Sequence, residues 1–329
     1  MVVITQNPHL WFIVTNSEGK TQTLFNEEKS GCNYPFSFEA PFADLPTPQQ
    51  NTVTIYNLSA KHSKFYKKGQ KAELYFNWGE SKKLIAEGFI SKVDRGQNDG
   101  VTSTKVITFT EGTDYNNIKA RELRIKKDKK VNKYKTVKKI EPGHLKSYKN
   151  GKKVWIKAKT KNKRIKTRVT KTILVNKTYR KGTSYERIIQ GIASQAGIKL
   201  AKIDLAKNPT IKRAYTAKGK PLTLLKQLVK KTGSKLTYIR GKLEIVNPKS
   251  SKRTWYVIDD DDLIQPPTET EDNEGQNTLE ILTPLIPEIT TNAGIQLRSR
   301  FAKGYFYVKS GQHSFDGENP QTQSSLVKI

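Results

Sequence analysis

Short runs of β-branched and aromatic residues, separated by turn residues, fill roughly the first 120 residues of the chain. In the stretch 52–58, Val53 and Ile55 alternate with Thr52 and Thr54, and this period of two predicts a strand with one buried face. Similar strands are predicted at 10–14, 72–76 and 106–109. Lys68-Gly69 and Trp78-Gly79 are typical of turns. The pattern predicts a small β-barrel or sandwich.

A helical period replaces this pattern between residues 175 and 248. Thr183 stands three residues before Glu186, as in a capping box, and Gly197 marks the end of the first predicted helix. Pro221 opens a second predicted helix, which ends at Gly233. The apolar residues that define the two helical faces are Tyr185, Ile188, Ile189, Ile192, Ala193, Ala196, Leu224, Leu225, Leu228 and Val229. A hairpin of strands 236–239 and 243–246 around Arg240-Gly241 is predicted to follow.

The last eighty or so residues return to a strand pattern. Asp259–Asp262, Pro266-Pro267 and Glu269–Asp272 predict an acidic, proline-rich loop, which we expect to neutralise part of a basic neighbour. The strands predicted after it are 279–282, 295–297 and 305–308. We therefore predict a mainly β protein with a smaller α+β middle domain. The predicted domains are 1–123, 124–174, 175–250 and 251–329.

Charge changes this picture in one segment. The chain has 60 Lys and Arg against 30 Asp and Glu, a net charge of +30. Residues 124–174 hold 21 of these basic residues and only Asp128 and Glu141 as acids. Such an excess indicates a polyanion, an acidic partner protein or an anionic surface as the binding partner.

The same segment alternates in two places, which predicts order. Residues 154–158 and 165–173 place apolar side chains on one parity and mostly basic ones on the other, and Lys161–Arg164 joins them. We predict a β-hairpin insertion with one lysine-covered, partner-binding face. The candidate residues of that face are Lys157, Lys159, Lys161, Lys163, Arg164, Lys166 and Arg168.

No pattern typical of catalysis or of metal binding is present in the sequence. The histidines His9, His62, His144 and His313 are scattered, without metal-ligand spacing, and we expect His313 to be a hydrogen-bonded loop residue. Cys32 is predicted to be inert. The adjacent acids from Asp259 to Asp262 lack the spacing of a calcium loop. We expect no enzyme activity, no cofactor and no metal.

Two further expectations concern the setting of the chain. The N-terminus lacks the pattern of a secretory signal, and no apolar run approaches eighteen residues, so we expect a soluble protein without membrane insertion, made in a cytoplasm. A single cysteine permits no intramolecular disulfide, so stability must come from packing or assembly.

The order of several motifs resembles the baseplate hub proteins of phage tails, including those of contractile tails and tail-like bacteriocins. The motifs extend over most of the chain apart from residues 124–174. They are Thr54–Ser59, Lys68-Gly69, Glu87–Val93, Lys181–Ser184, Gly219–Leu222, Gly241–Ile245, Leu263-Ile264, Pro266-Pro267, Leu282–Pro287, Gly304–Val308 and His313.

The resemblance implies a structural function. It implies tube-like β domains at both ends of the chain and a homotrimeric adaptor that joins a six-fold tail tube to a central spike. Its implied partners are the tail tube protein, the spike, other baseplate proteins and the tape measure protein. It also implies a place in the virion or in a phage-like tail particle, assembled in the cytoplasm of a bacterial host.

Two alternative functions remain open at this point. A nucleic-acid-binding protein would use the basic segment with Trp155, Tyr134 and Tyr148. No recognition helix supports specific readout, so we expect only non-specific binding. A cell-wall-binding module resembling LysM would use residues 179–200, although Gly182–Tyr185 lacks the Asp and Leu of that motif.

Overall fold

Residues 7–26, 34–79, 81–94, 96–250, 252–271 and 275–329 are described by a computed structural model of the chain. Cys32 lies outside these residues. The chain divides into two units, one within 1–122 and 179–329 and the other within 123–178.

Strands 36–43, 50–56 and 71–77 bury every second side chain, as their alternating sequence predicts, whereas the first strand buries Leu10, Trp11 and Phe12 in a row. Phe12, Phe76 and Phe109 are fully buried among aliphatic neighbours from the same strands. The elements of this region are β1 (His9–Thr15), β2 (Thr21–Phe25), β3 (Phe36–Ala43), β4 (Gln50–Tyr56), α1 (Ala60–Ser63), β5 (Lys71–Asn77), β6 (Lys83–Val93) and β7 (Thr104–Glu111). A 3-10 turn at Ala120–Leu123 follows. The four strand predictions made for this region are confirmed.

The second unit consists of strands alone after this turn. They are β8 (Arg124–Glu141), β9 (His144–Ser147), β10 (Lys153–Ile156) and β11 (Lys159–Asn176). The middle region then contains β12 (Thr178–Tyr179), α2 (Tyr185–Ala196), β13 (Leu200–Ile203), β14 (Tyr215–Thr216), α3 (Pro221–Lys231), β15 (Lys235–Ile239) and β16 (Lys242–Val246).

Both predicted helices are confirmed, with one difference at the first cap. The N-cap of α2 is Ser184, whose hydroxyl accepts a hydrogen bond from the Arg187 N–H, whereas the Thr183 hydroxyl donates to the Arg180 carbonyl. Gly197 ends α2 in the left-handed conformation that glycine adopts readily. Arg240 and Gly241 also have positive φ, as the tight turn between β15 and β16 requires.

The C-terminal region holds β17 (Trp255–Asp259), a 3-10 turn (Asp260–Asp262), β18 (Gln265–Glu271), β19 (Asn277–Pro284), β20 (Gly294–Arg298), β21 (Lys303–Phe315) and β22 (Gln321–Lys328). The loop expected at Pro266-Pro267 and Glu269–Asp272 is wrong as far as Glu271, because these residues form β18, and Asp272 lies outside the described residues. Pro266 and Pro267 are tolerated there since β18 is an edge strand whose pairing with β19 skips between Gln265 and Thr268.

Among the described residues, one sheet of thirteen strands connects the N-terminal and C-terminal regions. Its order is β18-β19-β22-β21-β3-β4-β7-β6-β5-β1-β2, with β20 pairing β21 and β17 pairing β20. The link is the antiparallel pairing of β21 with β3, from Ser310 opposite Ala43 to Phe315 opposite Phe38. Leu285 and Phe315 belong to the same buried cluster as the N-terminal phenylalanines. The predicted fold class, mainly β with few helices, is confirmed.

Candidate partner-binding surface

Residues 124–176 form a long hairpin, here called the basic arm. β8 and β11 pair without a register shift, from Arg124 opposite Asn176 to Glu141 opposite Lys159. At roughly 3.3 Å per residue, strands of 18 residues give a ribbon about 56 Å long. β9 and β10 close its tip, where Gly151 takes a positive φ and donates to the Tyr148 carbonyl at 3.0 Å.

The register of the predicted hairpin is therefore wrong. Residues 154–156 pair with 144–146 and not with 165–173, and Lys161–Arg164 lies inside β11. The reason lies in β8, which is the true partner of β11. Its apolar residues are so diluted by lysines, with Val131 and Val137 six positions apart, that its strand character does not show in the sequence.

The two faces of the basic arm differ in chemistry because opposite residues of an antiparallel pair share a side. We call one side the apolar–lysine face. It carries Ile125, Val131, Val137, Ile165, Val169, Ile173 and Val175 together with Lys127, Lys129, Lys133, Lys135, Lys139, Lys159, Lys161, Lys163, Lys171 and Glu141.

The other side, the arginine face, is mostly polar. It carries Arg124, Arg164, Arg168, Lys126, Lys130, Lys138, Lys166 and Asp128, with Thr and Asn at most other positions and Tyr134, Ile140 and Leu174 as its apolar residues. The Arg164 guanidinium lies over the Tyr134 ring, 5.5 Å from its centroid. The Thr172 hydroxyl donates to the Asp128 carboxylate at 2.7 Å.

The structure does not bring the seven candidate residues together on one face. Lys159, Lys161 and Lys163 lie on the apolar–lysine face, whereas Arg164, Lys166 and Arg168 lie on the arginine face. Lys157 lies in the link between β10 and β11. The valines and lysines of β8 complete the apolar–lysine face, and this contribution was not predicted from the sequence.

Charge repulsion is built into the basic arm. Residues 123–178 hold 22 basic residues and 2 acidic ones, so this unit carries +20 of the net charge of +30. Lys139 stands directly opposite Lys161, and Lys129 opposite Lys171, which are unfavourable cross-strand pairs. Glu141 relieves some of this repulsion through its ion pair with Lys161 at 3.0 Å, and the hydrogen bond in that pair holds the pKa of Glu141 below its usual range.

Apolar side chains on the basic arm remain exposed. Ile165 is 45% exposed, Val137 38% and Val169 37% on one face, and Ile140 is 68% exposed on the other. A two-stranded ribbon with both faces open is marginally stable in water. Its sequence therefore predicts a partner that supplies negative charge and covers apolar surface.

A second polar site lies where the middle region contacts the thirteen-stranded sheet. The Glu111 carboxylate, buried at the end of β7, accepts a hydrogen bond from the Gly241 N–H at 2.7 Å. Burial raises the pKa of Glu111 to about 7, against the opposing effect of that hydrogen bond. Nearby, Tyr238 donates to the Thr113 carbonyl at 2.6 Å and Arg240 to the Pro287 carbonyl at 2.9 Å.

Two further contacts connect distant parts of the same unit. The Trp78 indole N–H donates to the Leu285 carbonyl at 2.8 Å, and Lys83 pairs with Glu288 at 2.6 Å. These bonds and the Glu111 site join residues that are more than 100 positions apart in the chain, as structural contacts between regions do.

His313 is buried within β21 and not placed in a loop, so the loop prediction is wrong. Its expected hydrogen bond is present, because His313 Nδ1 lies 2.9 Å from the Thr322 hydroxyl. Burial, helped by the positive charge of Arg240, lowers the pKa of His313 to about 3. A neutral, enclosed imidazole of this kind serves packing.

The acidic run at 259–262 is an ordered turn. Asp260 accepts from the Ser299 hydroxyl at 2.5 Å and from the Arg300 N–H, and Asp262 accepts from the Asp259 N–H. Among the residues that the structure describes, no three His, Cys, Asp or Glu side chains are grouped as metal ligands. Within the same residues, no helix is long and apolar enough to cross a membrane.

Comparison with known proteins gives a match in structure and none in sequence. No protein-family model and no curated protein matches the chain. Among solved structures, the 43 kDa tail protein of prophage MuSo2 from Shewanella oneidensis matches over 98% of both chains, with a TM-score of 0.59 and 11% identity. The chain has the fold of a phage tail protein.

Two other structures support the same fold. A tail protein from Neisseria meningitidis MC58 matches over 98% of this chain and 96% of its own, with a TM-score of 0.54 and 10% identity. A component of the type VI secretion system of E. coli, itself similar to T4 bacteriophage tail proteins, matches over 91% of this chain and 76% of its own. Its TM-score is 0.51 at 9% identity. The fold expected from the motif order is thus confirmed.

Proposed function

We propose that this chain is the structural hub of a phage or phage-like tail baseplate, a homotrimeric adaptor between the tail tube and the central spike. The observation that carries the proposal is the fold shared along 98% of both chains with the Shewanella prophage tail protein. A likeness over the whole length favours a common architectural role over a shared module. The agreement in motif order along the sequence adds an independent reason.

The proposed role is architectural and not catalytic. In this proposal the hub binds the tube protein, the spike and other baseplate proteins, and it resides in the tail particle. Buried polar residues such as Glu111 and His313 are tied to other protein groups, which suits a scaffold. The basic arm is proposed to bind an acidic partner in the tail, through lysines that include Lys159 and Lys163.

Light scattering after size exclusion tests the trimer. We expect a particle of three times the 37.4 kDa chain mass, together with co-elution of tube and spike proteins of the same tail when these are added. A monomer at every concentration that also fails to bind tube and spike would refute the hub assignment. Turnover of peptidoglycan by the purified protein, abolished by one Asp or His substitution, would refute the non-catalytic role.

A further inference from the structure

The two faces of the basic arm demand different partners. Seven aliphatic side chains share a side with nine lysines, whereas all three arginines of the basic arm lie on the opposite side among Thr and Asn. Lysine stems are themselves apolar and pack along aliphatic surface while the ammonium group stays at the rim. The apolar–lysine face is thus an amphipathic surface, and the arginine face is a polar one.

We infer that the apolar–lysine face docks an acidic protein segment whose carboxylate and aliphatic side chains share one face. This inference rests on the proposed role of the basic arm in binding an acidic tail partner. Val131 and Val169 stand directly opposite each other at the centre of this face, and Ile165 and Val137 extend the apolar area toward the tip. Carboxylates between the partner's aliphatic residues would meet Lys133, Lys135 and Lys163, which surround that area.

Charge complementarity excludes a second copy of the same face as the occupant. Packing two apolar–lysine faces together would oppose eighteen lysines and leave only the two copies of Glu141 to offset them. The carboxylates of an acidic partner would offset the repulsion within the like-charge pairs Lys139–Lys161 and Lys129–Lys171. It also covers the exposed valines, which a phosphate backbone would leave in water.

A nucleic acid strand fits this face less well. Phosphate contacts need only positive charge and are spread over any basic surface. Stacking of bases needs free aromatic faces. Tyr134, the one aromatic residue of β8 and β11, lies on the arginine face, where the Arg164 guanidinium stands over its ring. Binding of nucleic acid would therefore depend on both faces alike and not on the valines.

A peptide derived from the basic arm itself provides the probe. It has the sequence of residues 159–176 with each Lys and Arg replaced by Glu, so that four of its seven carboxylates, at positions 159, 161, 163 and 171, share a face with Ile165, Val169 and Ile173. A scrambled peptide of the same composition keeps the charge and loses the pattern. Binding of each labelled peptide to the full-length protein is measured by fluorescence anisotropy. We expect the patterned peptide to bind at least about tenfold more tightly than the scrambled one.

Matched variants assign the binding to one face. The test variant is Val131→Thr, Val137→Thr, Val169→Thr, and the control removes the three apolar residues of the arginine face, Tyr134→Thr, Ile140→Thr, Leu174→Thr. We expect the test variant to lose about tenfold in affinity for the patterned peptide and the control to stay within about twofold. A second pair of variants keeps the test valid if a valine variant misfolds. Its test member is Lys133→Gln, Lys135→Gln, Lys163→Gln, and its control is Lys130→Gln, Lys138→Gln, Lys166→Gln. We expect the test member to lose more affinity than the control, as in the first pair.

Equal binding of both peptides, or equal losses in both members of each pair, would overturn the inference. If a labelled 20-nucleotide single strand then bound more tightly than either peptide, the partner would be a nucleic acid. Either result leaves the hub proposal intact, since trimer formation and binding to tube and spike are measured separately.

Discussion

Glu111 is the carboxylic acid whose ionisation the fold opposes most clearly. Its folded pKa of about 7 lies above the ordinary value of 4.5 because the carboxyl group is buried, with Glu87 as a further negative neighbour. The folded state therefore binds this proton more tightly than the unfolded state does. Its contribution to stability is fully present below pH 4.5 and is lost as the pH rises through 7.

We expect Glu111→Gln to remove this pH dependence. The amide oxygen can still accept from the Gly241 N–H, so the variant should match the wild type near pH 4.5 and exceed its unfolding free energy by about 3 kcal/mol at pH 8. Urea unfolding from pH 4.5 to 8 measures the difference. His313 has the opposite effect, because its lowered pKa removes stability as the pH falls below 6.5. Both proteins contain His313, so its effect cancels in the difference between their unfolding free energies. A constant difference across the range would show that Glu111 is not buried as described.

Gly241 occupies a site that excludes a side chain for two reasons. Its φ is +81°, and an added Cβ would lie 2.8 Å from the Glu87 carbonyl oxygen. We expect Gly241→Ala to lower the unfolding free energy by about 2–4 kcal/mol, through strain and loss of the Glu111 bond. Gly19→Ala is the control, since Gly19 has a φ of +78° with nothing within 4 Å of the added Cβ, and should cost only about 1 kcal/mol. If denaturant unfolding showed the same loss of unfolding free energy for both substitutions, the close contact between residue 241 and Glu87 would contribute nothing.

The roles of single residues were predictable where local backbone geometry determines them. Gly197, Pro221 and Gly233 mark helix ends in the sequence and in the structure. The choice between Thr183 and Ser184 as N-cap was not predictable, because both hydroxyls precede the helix and tertiary bonds select one of them. Burial of His313 depends on strands far away in sequence, so no local pattern reports it.

The basic arm is the element on which sequence and structure differ most. Alternation in residues 165–173 indicated a strand, and that part is correct. Its partner was misassigned because β-pairing between 124–141 and 159–176 is long-range, and lysines occupy apolar and polar positions of β8 alike. Likewise the prolines of β18 suggested a loop, although an edge strand accommodates them.

We expect the basic arm to be removable without loss of the remaining fold. Replacing residues 127–173 with Asn-Gly joins Lys126 to Leu174, which are already cross-strand partners, through a turn suited to hairpins. The melting temperature of the shortened protein should stay within about 2 °C of the wild type because the removed strands carry almost no buried side chains. Differential scanning calorimetry and light scattering would measure stability and trimer formation. A large fall in melting temperature would mean that the basic arm supports the core.

At the scale of the whole molecule, the two ends of the chain share part of their cores, because Phe42 also belongs to a second, C-terminal buried cluster. Leu285 and Phe315 pack with N-terminal residues such as Phe38, and the pairing of β3 with β21 continues the sheet from one region to the other. The sequence indicated β regions at both ends, and the strands themselves were largely predictable from alternation. Their fusion was not, because pairing between strands about 270 residues apart leaves no local trace.

This shared core predicts how the chain responds to being divided. We expect fragments 1–150 and 151–329, cut at the Asn150-Gly151 turn of the basic arm, to assemble when expressed together, since the cut breaks no strand. Fragment 1–150 alone should aggregate. Without β21 the edge of strand β3 is unpaired, and without Leu285 and Phe315 the buried N-terminal cluster is partly exposed. Affinity purification through a tag on one fragment, followed by calorimetry of the complex, measures the outcome. The control is a division after Ile189, in the middle of α2, where a break inside a buried helical face should prevent recovery of a folded complex. A folded, monomeric fragment 1–150 with its own sharp melting transition would instead show that the N-terminal strands form a self-sufficient domain. The thirteen-stranded sheet would then have to be regarded as two domains in contact.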